Sequence, residues 1–210
     1  VAEAGVREGG MSGVLLSIGA VPLATALTQG CSPIGPAHVM TQAEDNVIFE
    51  IDDRPALDVF KEDIGEVLAR DLSRVEGYIF AALPVQGSDT GDYLVRNLVG
   101  IDPEHGAIAI GDNVEPGGQV MFCRRDRDSA VEDMRRMLGG LKARAGNSPI
   151  RGRLYFSCCA RGPNQFGDDS RELGLIAEEL GDFPLVGFFA NGEISHDRLY
   201  GYTGVLTLFL

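Results

Sequence analysis

Apolar and polar positions along this chain follow two periods, and most of its length follows the shorter one. Apolar runs punctuated by Gly, Pro, Asn and Asp read as strands over Val14–Ile18, Leu23–Thr28, Val47–Ile51, Tyr78–Leu83 and Tyr93–Ile101. The same pattern continues over Ala107–Ile110, Val120–Arg124, Leu154–Cys158, Leu185–Phe189 and Tyr200–Leu210. The last run alternates, with Tyr200, Tyr202, Leu206, Leu208 and Leu210 on one face and Thr203, Val205 and Thr207 on the other. Asp102-Pro103-Glu104-His105-Gly106 between two apolar runs predicts a hairpin turn.

Three stretches carry helical spacing. Pro55 stands at a first helical position behind Asp52-Asp53, and Leu57, Phe60, Ile64 and Leu68 recur three or four apart. Asp128 or Ser129 caps a second helix with Val131, Met134, Leu138 and Leu141 on one stripe, and Gly146 closes it. Asp169 precedes Glu172 by three in a capping-box arrangement, Leu173, Ile176, Ala177 and Leu180 follow as the apolar face, and Gly181 ends the helix. So many strands with so few helices exceed one parallel sheet. The expected class is α/β in the α+β sense: mixed, largely antiparallel sheet layers with about three flanking helices. No Ser/Pro-rich linker divides the chain, so residues from about Gly30 onward read as one domain.

Composition narrows the functional classes. Glycine, 28 of 210 residues, is well above the usual share of about 7% and implies many tight turns. A net charge of −13 repels phosphate backbones and anionic lipid, which argues against nucleic acid and membrane as partners. Cys31, Cys123, Cys158 and Cys159 form no C-x-x-C pair and have no histidine at metal-ligand spacing, as fits a reduced, cytoplasmic chain. No dinucleotide, phosphate-loop or zinc pattern is present, so no cofactor is expected. The run Met11–Leu27 lacks a basic leader and is interrupted by Gly13, Gly19 and Pro22, which reads as two short strands. The chain opens on Val1 with Val-Ala-Glu-Ala-Gly, as a piece of a longer protein would.

Candidate chemistry collects at two apolar runs that stop in small residues and one charge. One is Arg153–Pro163, ending in Ser157-Cys158-Cys159-Ala160-Arg161-Gly162; the other is Phe183–Glu193, ending in Asn191-Gly192-Glu193. Strand, turn, helix and strand in that order bring both endings to one edge of a sheet, where open α/β folds hold ligands. Small side chains let backbone amides approach a ligand, and an arginine fork suits a carboxylate. Arg161 with Glu193 would grip the two ends of a zwitterion; alternatively Arg161 pairs with an acid such as Asp168 or Glu193 and pins the loop. Arg96-Asn97 interrupts an apolar strand, either lining a cavity or lying on a wet edge. Cys158 as a nucleophile requires a base in reach, and His196 is the candidate; a small buried strand residue is the alternative.

Taken together, Gly30–Pro36, Glu44–Glu50, Arg54–Leu57, Tyr93–Leu98, Phe156–Pro163 and Pro184–Glu193 resemble the FIST family. The likeness is to its C-terminal FIST domain over residues 30–210, with residues 1–29 as the tail of a preceding N-terminal FIST domain. The resemblance implies a sensory input module of bacterial signal transduction that binds a small ligand such as an amino acid, without catalysis. It implies an N-terminal FIST domain and a signalling output protein as partners. Eukaryotic relatives imply the alternative, a surface that recruits protein partners, with Phe188-Phe189 and the Asn-Gly-Glu loop facing the partner. On this reading the ligand-binding residues are Arg161, Gly162, Asn191, Gly192, Glu193, Cys158, Arg96 and Asn97, with an enzyme using Cys158 as the remaining alternative.

Overall fold

Turn residues fix where the strands end, and the structure, a computed structural model, describes residues 9, 13–17, 19, 21–85, 92–168 and 171–210. In chain order the strands are β1 (Leu23–Gln29), β2 (Cys31–Pro33), β3 (His38–Glu44), β4 (Val47–Ile51), β5 (Arg54–Pro55), β6 (Ile79–Pro84) and β7 (Tyr93–Asp102). They continue as β8 (Ala107–Ile110), β9 (Gln119–Arg125), β10 (Gly152–Cys158), β11 (Leu185–Ala190), β12 (Glu193–Ser195), β13 (Arg198–Tyr200) and β14 (Thr203–Phe209). The helices are α1 (Ala56–Ile64), α2 (Glu66–Ala69), α3 (Arg127–Ala145), α4 (Pro163–Phe166) and α5 (Arg171–Leu180). A 3-10 turn spans Leu72–Val75. The class is the expected mixed, largely antiparallel one; among the described pairings only β10–β11 is parallel.

Two larger strand systems result, beside a two-stranded ribbon of β12 and β13. In the first, β9, β3, β4, β8, β7 and β6 pair in sequence and β6 pairs back to β9, which closes a ring. Closure removes exposed edges. Ile48, Ile51, Ile79, Ala81, Ile108, Val120 and Phe122 form its core with Leu57, Phe60 and Ile64 of α1, and Phe60 meets Phe122 edge-on at 4.8 Å. The second is a four-stranded sheet in the order β1-β14-β10-β11, packed through Tyr155, Leu206 and Leu208 against Met134, Leu138, Leu141 of α3 and Leu175, Ile176, Leu180 of α5.

Chain and side chains join the two systems. Gly30 lies between β1 of the sheet and β2 on the ring, and a Cβ there would stand 2.6 Å from Gln165 Oε1 and 2.7 Å from the Tyr202 carbonyl. Tyr202, at φ +61°, packs its ring 4.6 Å from Phe80 and donates its phenol hydrogen to Asn97 Oδ1 at 2.5 Å. Arg125 reaches across to the Ala160 carbonyl.

Departures from the sequence pattern have local causes. Gly65, at φ +78°, splits the first expected helix into α1 and α2. The cap of α3 is Asp126, whose Oδ1 accepts the Ser129 amide at 2.8 Å, rather than Asp128 or Ser129. Asp169 lies outside the described residues, and so does Ile18; Val14–Ser17 form no strand. The final run is broken at Gly201-Tyr202 into β13 and β14. Strand β3, which carries Thr41, Gln42 and Glu44 between its apolar positions, was not legible as a strand; nor were the short β2, β5 and β12. Among the described residues no helix is long and apolar enough to cross a membrane.

His38 at the start of β3 bridges two acids, with Nδ1 2.6 Å from Asp52 and Nε2 3.1 Å from Asp63 of α1. Burial opposes a charge on the imidazole, but the hydrogen bonds and charges of both carboxylates outweigh it and raise its pKa. A raised folded-state pKa means stabilisation that is complete below the unfolded value, about 6.5, and is lost as pH rises through the folded one. Urea denaturation should therefore show stability falling as pH increases from about 6.5, and the His38→Gln variant should show a flatter profile over the same window.

Candidate functional site: a cleft over a buried ion pair

Parallel pairing of β10 with β11 sets the site. Register runs from Arg153 opposite Leu185 to Cys158 opposite Ala190, so both strands end at one side of the molecule. The crossover between them carries α4 and α5. Gly162 begins this crossover at φ +57°, and a Cβ on it would stand 2.6 Å from the Phe189 ring, so only glycine fits. Asn164 fastens the turn by donating to the Cys159 carbonyl at 3.2 Å.

Beneath this turn Arg161, 0% exposed, donates through Nε to Glu172 Oε1 at 2.8 Å. The acid that pairs with Arg161 is thus Glu172, neither Asp168 nor Glu193. Glu172 also accepts from the Tyr155 hydroxyl at 2.6 Å, the Ser157 hydroxyl at 3.1 Å and the Gly162 amide at 3.2 Å. The guanidinium lies over the Phe166 ring at 4.9 Å and points Nη1 toward the Tyr202 carbonyl at 3.5 Å. Burial works against the Arg161 charge, but Tyr155 and Glu172 more than restore it, raising its pKa. Burial pushes the Tyr155 phenol up, so it stays a donor.

This use of Glu172 rotates α5 relative to the predicted face. Glu172, Leu175, Ile176 and Leu180 point inward, whereas Leu173 and Ala177 are exposed. Leu173 instead forms one wall of a cleft of about 570 Å³. Tyr155, Ser157, Gly162 and Glu172 also line the cleft, Arg171 lies along α5, and the residues from Leu185 to Phe189 supply the other wall. Sequence pattern missed Leu173, Arg171 and Glu172 as members of the site; the sole signal was an acid at the helix start, which also reads as a cap.

Of the expected site residues, Gly162 lines the cleft and Arg161 lies behind it. Glu193, 2% exposed, sits in β12, its Oε2 accepting from Thr203 at 2.7 Å and its Oε1 buried without a hydrogen-bond partner. It does not meet Arg161 across an open pocket, because both are buried and each bonds elsewhere. Asn191 is exposed in the β11–β12 turn, and Gly192, at φ +116°, packs under Leu199. Arg96 pairs with Asp112 at 2.6 Å and reaches the Leu199 carbonyl at 3.5 Å, while Asn97 is taken by Tyr202. These two residues tie β7 to the sheet side of the molecule rather than lining the cleft. Cys158 is buried; its thiol has no hydrogen bond or ion pair among the described residues, and His196 is exposed. Among the described residues no cluster of His, Cys, Asp and Glu could hold a metal ion.

A ring of antiparallel strands joined to a sheet with a cleft at its parallel pair is the frame of the molecule. The FIST C domain matches residues 56–196 and the FIST N domain residues 1–54, and the chain belongs to the FIST family. FIST domains are associated with sensory roles in signal transduction. An uncharacterised protein of Mycobacterium tuberculosis is 37% identical over 197 residues, covering 89% of this chain and 50% of that protein. An uncharacterised protein of Mycobacterium bovis is 32% identical over 214 residues, covering 98% of this chain and 53% of its own length. The chain thus spans about half the length of the curated relatives it matches. No solved structure matches it.

Two variants test the electrostatics. Arg161→Ala leaves Glu172 charged and buried, so it should lose about 3–5 kcal/mol in urea unfolding; a surface ligand-holding arginine would lose almost nothing. Burial raises the Glu193 pKa against the Thr203 hydrogen bonds and the charge of Arg161. The raised value penalises the folded state above the unfolded carboxylate pKa. Glu193→Gln should therefore exceed the parent in stability at pH 7, and the difference should vanish on acidification below about pH 4.

Proposed function

We propose that this chain is a non-catalytic input module of bacterial signal transduction that binds a small carboxylate, an apolar amino acid by preference. The carrying observation is a cleft of about 570 Å³ directly beside the Ser157-Cys158-Cys159-Ala160-Arg161-Gly162 stretch. That volume falls in the usual range for small-molecule sites, and apolar walls with few polar groups are their usual lining. Leu173, Leu185, Val186, Phe188 and Phe189 suit an apolar side chain. Arg171, on the rim and ion-paired to Glu178, offers its remaining donors to a carboxylate. Gly162 gives the ligand close access to backbone, and Arg161 acts from below by fixing Glu172 and the turn. Cys158, Asn191, Gly192, Glu193, Arg96 and Asn97 support the loops and the seam around this cleft in the same reading. The module works in the cytoplasm beside an N-terminal FIST domain and passes its state to an output protein.

Isothermal calorimetry with a panel of amino acids tests this. An apolar amino acid should bind the parent, and Leu173→Arg, which fills the cleft from an exposed position, should weaken it at least tenfold. Arg171→Ala should weaken the amino acid but spare its amide. Equal binding by parent and Leu173→Arg would remove the cleft from the function.

A further inference from the structure

We propose that the free edge of β11 receives an extended segment of a partner polypeptide as an added strand, with apolar side chains at alternate positions. This surface shares Val186, Phe188 and Phe189 with one wall of the cleft, so an added strand would border whatever fills it.

Hydrogen-bond parity locates the free groups. The Pro184 carbonyl accepts from the Arg153 amide and the Ala190 carbonyl from the Cys159 amide, both toward β10. Alternation then turns the amides and carbonyls of Leu185, Gly187 and Phe189 outward. No strand lies beyond β11 among the described residues.

The opposite edge of the same sheet shows what protection looks like. There the Pro22 carbonyl faces β14 by accepting the Leu210 amide, so Thr25 and Gln29 face outward. Arg144 donates to the Thr25 carbonyl at 2.9 Å, and Asp133 accepts the Gln29 amide at 2.7 Å. Helix α3 thereby covers the β1 edge. The β11 edge, Leu-Val-Gly-Phe-Phe-Ala, has no charge or proline, and no side chain among the described residues bonds its outward groups.

Its side chains add an apolar offer. Val186 is 68% exposed, Phe188 66% and Phe189 55%. Val186 and Phe188 lie on the open face of the sheet, where Phe188 meets Phe156, and Phe189 lies with Leu173 on the cleft face. A single strand edge with so few side chains is smaller than the roughly 800 Å² each partner gives to a stable interface of standard size, which favours a transient strand over a stable second copy. Strand addition supplies affinity through main-chain hydrogen bonds and specificity through alternate side-chain pockets. The cleft between β11 and α5 is such a pocket.

The experiment selects displayed random ten-residue peptides on the purified protein, with no small ligand present, and measures the synthetic winners by fluorescence anisotropy. Winners should carry apolar residues at alternate positions. N-methylation of alternate peptide amides should weaken binding more than tenfold in one parity and less than twofold in the other. Val186→Lys, a charge at an exposed site, should weaken binding at least tenfold while circular dichroism and melting stay unchanged. No enrichment, parity-blind N-methylation, or equal binding by Val186→Lys would each overturn the proposal. So would sedimentation showing self-association through β11 that Val186→Lys abolishes, since the occupant would then be a second copy. Amino-acid binding in the cleft is read separately by calorimetry, so either idea can fail alone.

Discussion

A buried arginine and a buried glutamate, each unable to leave the other, set the shape of the cleft region. Arg161 lies at the start of the crossover between β10 and β11 and Glu172 in the first turn of α5 within it, and both are buried. Desolvating both ions is costly, and the pair persists because Tyr155, Ser157 and the Gly162 amide complete the carboxylate's shell. The result is a fixed floor whose charge is internally neutralised. Helix α5 must present Glu172 inward, and that same rotation pushes Leu173 out to become a wall.

The other constraint is the seam at Tyr202. Its carbonyl faces the Arg161 guanidinium, its phenol is held by Asn97 of the ring, and its ring packs on Phe80. A left-handed backbone at a non-glycine residue carries a strain cost of order 1–3 kcal/mol, which these contacts offset. One residue thus contacts both the ring and the ion pair under the cleft. That linkage gives the proposed input role a physical route between the two strand systems.

Much of the architecture was legible because burial dictates period. Val47–Ile51 and Ala107–Ile110 were bounded correctly, and Leu185–Phe189 to within one residue, since each apolar run ends at a turn. The nearness of the two polar endings was also legible, because a strand–helix–strand crossover has one favoured hand. What pattern could not supply was the pairing of charges. Arg161 chose Glu172 over Glu193 because α5 faces it directly, a fact about helix rotation of which sequence periodicity gave the wrong phase. Strand β3 was hidden by its polar alternates, whose neighbours Met40 and Ala43 alone face the ring's core. The Asp52-Asp53 pair read as a helix entry; both residues instead adopt positive φ in the tight turn joining β4 to β5.

The order β1-β14-β10-β11 has a consequence for synthesis. The ring can close once residue 125 has left the ribosome, since all its strands precede α3. The sheet has no such freedom: β14 lies between β1 and β10 and forms the bridge for both. Until residue 209 emerges, a nascent chain carries β1 apart from the β10–β11 pair. The ring can form while synthesis continues, whereas β1 joins the cleft-bearing strands only through β14.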